Sequence, residues 1–183
     1  MSMTSTTGLD LATVSAGLLV LRLVLGLSMA AHGAQKVFGW FGGYGLAGTG
    51  GFFEQLGFRP GRVFAALEGS GEVVSGLLVA FGLLGPVGPA VMISLMLVAI
   101  LTVHRANGFF VASNGLEHPL LYAAGALGLA FTGLGAYSLD VLVGLDGLAS
   151  PTLAVLAVIL GVLAGLGALV LRRPVAQAAQ AHG

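Results

Sequence analysis

The chain has 183 residues, 57% of them hydrophobic and 8% charged, with a mean hydropathy of +1.02. These values exclude a soluble globular domain and point to an integral membrane protein. Seven basic and seven acidic side chains cancel, leaving no basic surface for nucleic acid, and the absence of cysteine excludes disulfides, thiolate-held iron–sulfur clusters and thiol exchange.

In chain order, MSMTSTTGLD lacks the basic start of a signal peptide, so the first apolar stretch is expected to be kept as a span. A span needs roughly 20 apolar residues. Five segments approach that length, at about 13–34, 63–84, 87–104, 119–134 and 152–171. Between the first two, HGAQKVFGWFGGYGLAGTGGFFEQLGFRPGR is too polar to cross and too apolar for a free linker, and reads as interfacial or partly re-entrant. GPVGP at 85–89 makes a tight turn, Pro119 suits the first turn of the fourth span, and residues 135–150 read as a turn and a short surface helix. Gly161 and Gly165 form a small-xxx-small pattern that serves either an intrachain or a subunit contact. The expected fold is an all-α polytopic transmembrane helical bundle. It has a tail at 1–12, one transmembrane domain at 13–171 made of a four-helix core plus a fifth C-terminal span, and a flexible tail at 172–183 that holds an idle His182.

With five spans, Lys36, Arg59, Arg62, Arg105, Arg172 and Arg173 share one face, and Asp10, Asp140 and Asp146 the other. Positive charge marks the cytoplasmic side, which predicts an outside N-terminus and a cytoplasmic C-terminus.

An ionisable group inside a span costs on the order of 3 kcal/mol and usually finds a partner in the bundle. Glu68 and Glu72 are four apart, on one helix face. Arg22 lies in the first span at a depth, counted from the span ends, that suggests an ion pair with Glu72. Glu68 is then left to exchange protons. His32, His104, Glu117 and His118 fall at the same end. With Lys36 and a rim of Trp40, Phe41, Phe109, Phe110 and Tyr122 they outline a polar pocket for a planar, lipid-soluble ligand whose oxygens need protons, such as a quinone. Plainer readings stand beside this one: histidines at helix ends bond backbone carbonyls, interfacial aromatics form a membrane belt, and Lys36 and Arg105 set topology. GYGLAG at 43–48 has dinucleotide-loop spacing but follows no strand. His32 opposite His104 would be the pair to hold haem; no close-spaced metal-ligand motif is present.

HGAQKVFGWFGG, LEGSGEVVSGLLVAFGLL, AILTVHRANGFF, GLEHPLLY and GLGAYSLD, preceded by Arg22 and Gly26, resemble the DoxX family of small bacterial membrane proteins over about residues 16–143. The resemblance implies a bundle, commonly of four spans, in the bacterial cytoplasmic membrane. It also implies redox chemistry, since the family takes its name from membrane subunits of a thiosulfate:quinone oxidoreductase. The family's recurring polar positions fall on Arg22, His32, Lys36, Glu72, His104 and Glu117.

These readings converge on a quinone-linked membrane protein, taking menaquinone or ubiquinone. Glu68, His104 and Glu117 would be its proton-handling residues, and His32, Lys36, His104 and Trp40 its cofactor contacts. Electrons would come from a separate soluble cytoplasmic redox enzyme, and lipid and a second copy of the chain are further partners. The alternatives are a proton-coupled transporter lined by Glu68, Glu72 and Arg22, and a scaffold for soluble redox enzymes.

Overall fold

The computed structural model describes residues 10–173, and the readings that concern residues 1–9 and 174–183, including His182, lie outside the described residues. The fold is an all-α bundle. Its elements are α1 (Leu11–Phe38), α2 (Gly45–Gln55), α3 (Gly61–Phe81), α4 (Val87–Ala99), α5 (Glu117–Thr132), α6 (Leu139–Leu142) and α7 (Pro151–Val170). A π-type turn through Ile100–His104 prolongs α4, so that an apolar helix runs from Val87 to Asn107.

Local chemistry sets the boundaries. The Asp10 carboxylate accepts from the N–H of Ala12 to cap α1, and the left-handed Gly39 ends it. Ser150 caps α7 just before Pro151. α1, α3, the prolonged α4 and α7 are each long and apolar enough to cross a membrane. At 16 residues α5 is about 24 Å long and falls short of that length. It still joins the two ends of the bundle, because His118 at its start lies beside His32 and Gly135 beyond its end lies against Leu18 and Ser15.

α1 and α3 form the tightest pair, and glycine is the reason. Gly26 faces the backbone of Gly76 and Ala80, and Gly33 faces Gly69 and Val73, so a Cβ at either position of α1 would run into the backbone of α3. This antiparallel seam fixes the register of every polar group the two helices carry. Gly161 and Gly165 of α7 lie against Ala90 and Ser94 of α4, which makes their small-residue pattern an intrachain contact. The 31-residue connection after the first span resolves into the short helix α2. Its Phe53, with Phe58 and Ala65, forms a small core against Val98 and Leu169. The backbone N–H of Arg173 donates to Gly57 O at 2.8 Å, tying the end of α7 to the same place.

Charge divides by end as the sequence implies. Lys36, Arg59, Arg62, Arg105, Arg172 and Arg173 cluster where α1, α4 and α7 finish and α3 begins; Asp10, Asp140 and Asp146 lie at the other end. There the buried Asp140 accepts from the N–H groups of Leu84 (2.8 Å) and Gly85 (2.7 Å), which holds the turn between α3 and α4.

Candidate functional site

The last turn of α1 carries Lys36, and α3 carries Glu68 and Glu72 on the face that its glycines press against α1. One ammonium serves both acids: Lys36 Nζ donates to Glu68 Oε1 at 2.5 Å and to Glu72 Oε1 at 2.7 Å. The Glu72 side chain is 3% exposed and that of Glu68 13%. Each has a second oxygen, Oε2, that is buried and has no hydrogen-bond partner among the described residues. Two carboxylates on one lysine leave the triad with either one negative charge in excess or one extra proton, and the two free oxygens are where such a proton can be held.

Glu72 faces a cavity of about 260 Å³ between α1, α4 and α5, lined also by Met29, His32, Lys36, His104, His118 and Tyr122. The His32 and His118 rings meet edge to face with centroids 5.0 Å apart, and Tyr122 lies 6.0 Å from the first and 4.9 Å from the second. His104 stands at the π-type turn of α4, where its Nδ1 is 2.8 Å from Asn114 O. A second cavity of about 270 Å³ opens between α2, α3 and α4, lined by Glu68, Thr49, Phe52, Phe53, Val98 and Thr102 among others. The two cavities share Lys36, Ala99, His104 and Asn114. Lys36 also borders a more open trough along the outer face of α2, past Tyr44, Gly48 and Gly51.

The structure brings His32, Lys36, Glu68, Glu72 and His104 together and leaves three expected residues elsewhere. Arg22 does not pair with Glu72. The glycine seam sets Arg22 level with Ala80 and Gly82 while Glu72 lies about two turns away, roughly 12 Å along the axis. The depth argument fails because α1 runs on to Phe38, four residues past its expected end, so that Arg22 lies about 6 Å deeper than that count places it. Arg22 is instead fully buried at the acidic end, where its Nη2 donates to Tyr137 O at 2.9 Å. Gly82, with φ of +67°, leaves room for the guanidinium that any side chain would fill. Trp40 is 59% exposed and stacks on Phe38, away from both cavities; Phe41, Phe109 and Phe110 are exposed like it, so of the expected aromatic rim only Tyr122 lines the site. The Glu117 carboxylate accepts from the N–H of Val111 at 2.8 Å and so closes the connection between α4 and α5 instead of facing the cavity. His32 and His104 both line the cavity between α1, α4 and α5, and the ring beside His32 is that of His118.

His118 belongs to the expected pocket beside its plainer helix-end reading, and its place next to His32 depends on how α5 crosses α1, for which the sequence carries no signal. Met29 and Asn114, which line the cavity, were not singled out at all. Toward the acidic end the cavity is closed by a packed apolar core of Met29, Val79, Met92, Ala126 and Leu129, each no more than 1% exposed. Arg22 lies beyond that core, at the acidic end.

Residues 17–105 match the family model DoxX. That stretch covers α1 to α4 with the Lys36, Glu68, Glu72 and His104 positions, and stops short of GLEHPLLY and GLGAYSLD. No curated protein and no solved structure matches the chain. Four membrane-length apolar helices and an all-α bundle make the chain a multi-pass membrane protein, and its residues 17–105 are similar to the DoxX family.

Proposed function

We propose that the cavity between α1, α4 and α5 binds the head group of a quinone or quinol at the cytoplasmic side of a bacterial inner membrane. The observation that carries this reading is that Glu72, whose buried Oε2 has no hydrogen-bond partner among the described residues, lines a cavity together with three histidines and a tyrosine. An unpaired buried carboxylate oxygen costs on the order of 1–3 kcal/mol, and a ligand hydroxyl or a proton on its way to a ligand oxygen removes that cost. His32, His118 and the Tyr122 hydroxyl supply hydrogen-bond donors and acceptors for a second ligand oxygen. Met29 and the rings offer the apolar, polarisable walls that a planar head group needs. The donor set therefore fits a quinone. When bound, a quinone takes two electrons and two protons to become a quinol; the electrons come from a separate donor enzyme, which is oxidised by two electrons. The cytoplasmic assignment follows from the six basic residues at the cavity's end of the bundle.

The transporter reading loses support from the packed apolar core between Glu72 and Arg22. The scaffold reading gives no reason for two buried acids without full hydrogen bonding among cavity-lining residues. Purification in mild detergent, lipid extraction and a visible spectrum test the proposal. A quinone in near-equal amount to protein is the expected result. A clean extract overturns it, and a Soret band transfers the histidines to haem.

A further inference from the structure

We infer that Lys36, Glu68 and Glu72 form a proton relay that joins the two cavities: Glu68 loads from the α2–α3–α4 cavity and Glu72 delivers into the α1–α4–α5 cavity. The inference rests on the reading of the α1–α4–α5 cavity as a ligand site, but the relay itself is a property of the chain without any ligand.

Three observations carry it. Lys36 Nζ bridges one oxygen of each acid at 2.5 and 2.7 Å, so a proton can leave for Glu72 as another arrives from Glu68 without any heavy atom moving far. The acids part company beyond the lysine: Glu68 lines one cavity and Glu72 the other, while Lys36 lines both. Each acid also keeps a buried oxygen with no partner, Glu72 with only 3% of its side chain exposed. Asp140, which holds a turn, by contrast places both of its oxygens on the N–H groups of Leu84 and Gly85.

The step balances. A proton leaves Glu72 Oε2 for the ligand cavity; Lys36 gives Glu72 a proton and takes one from Glu68, and Glu68 takes one from solvent in its own cavity. Lys36 reloads Glu72 on Oε1, so a turn of each carboxyl group once per proton returns the triad to its starting state, and no electron moves. The groups around it are His32 on α1, His104 on α4 and His118 and Tyr122 on α5. His104 borders both cavities and is the one imidazole that a bypass would use.

The test uses the whole chain in detergent, free of quinone. A pH jump is followed by infrared absorption of the carboxyl carbonyl band that Glu72→Gln removes. The wild-type band is expected to follow the jump, and Glu68→Gln to slow it at least about tenfold. Thr102→Leu, which fills the loading cavity without touching the triad, is expected to slow it too. An unaltered melting temperature shows that these variants still fold. Equal rise times in wild type, Glu68→Gln and Thr102→Leu overturn the relay, as does a spectrum from which Glu72→Gln removes no band. Quinone binding, measured separately on the same preparations, stands or falls independently of these rates.

Discussion

Lys36 and Glu72, thirty-six residues apart in sequence, meet at 2.7 Å at the basic end of the α1–α3 seam. The same ammonium holds Glu68, so it is the counter-charge for two carboxylates in a region poor in water. Removing one partner of a buried charge network costs far more than replacing the network as a whole. Lys36→Met should therefore destabilise the protein by about 3 kcal/mol in a thermal melt, and the triple variant Lys36→Met, Glu68→Gln, Glu72→Gln should regain most of that loss. A triple variant as unstable as Lys36→Met alone would contradict this account of the triad.

Gly26 and Gly17 lie on the same helix and should respond in opposite directions. A Cβ on Gly26 meets backbone atoms of Gly76 and Ala80, whereas one on Gly17 meets nothing within 4 Å. Gly26→Ala should lower stability by about 1–3 kcal/mol, and Gly17→Ala should leave it unchanged or raise it by up to about 1 kcal/mol. Melting temperatures of the two variants, measured side by side, decide it.

The correction at Arg22 is testable by a double-mutant cycle. Arg22 bonds Tyr137 O beyond the apolar core, and Glu72 bonds Lys36. Arg22→Met and Glu72→Gln should thus be additive in stability within about 0.5 kcal/mol. A larger coupling would restore the ion pair that span depths suggested.

At the acidic end, Asp140→Ala strips the acceptors from two N–H groups in the turn that starts α4. The expected loss is about 2 kcal/mol, since each bond to the carboxylate is charge-assisted. Faster proteolysis at residues 82–86 should accompany it, while quinone content stays at the wild-type level.

Much of this was legible in the sequence, and the limits have physical reasons. Four of the five expected spans and the sorting of charge by end follow from hydropathy and from lysine and arginine placement, which act locally; the fourth, α5, falls short of membrane length. The pairing of Glu68 with Glu72 on one face is a matter of helical period. What failed was register. Arg22 was matched to Glu72 by counting from helix ends, yet ends move by several residues when a helix continues through a polar stretch, as α1 does through HGAQK to Phe38. The four glycines at 26, 33, 69 and 76 were the better ruler, because close backbone contact admits one alignment. Trp40 and Glu117 were drawn into the pocket by proximity in sequence to His32 and His118. The turn at Gly39 and the loop bond from Val111 to Glu117 carry them away from it.

Photo-crosslinking with an azidoquinone, mapped by mass spectrometry, tests the central claim most directly. The account predicts labelling of α1 near Met29–Lys36 and of α5 near His118–Tyr122, competed by unlabelled quinone and lost in Glu72→Gln. Label spread over lipid-facing positions such as Leu156 and Leu160 of α7, indifferent to competitor and to Glu72→Gln, would contradict it.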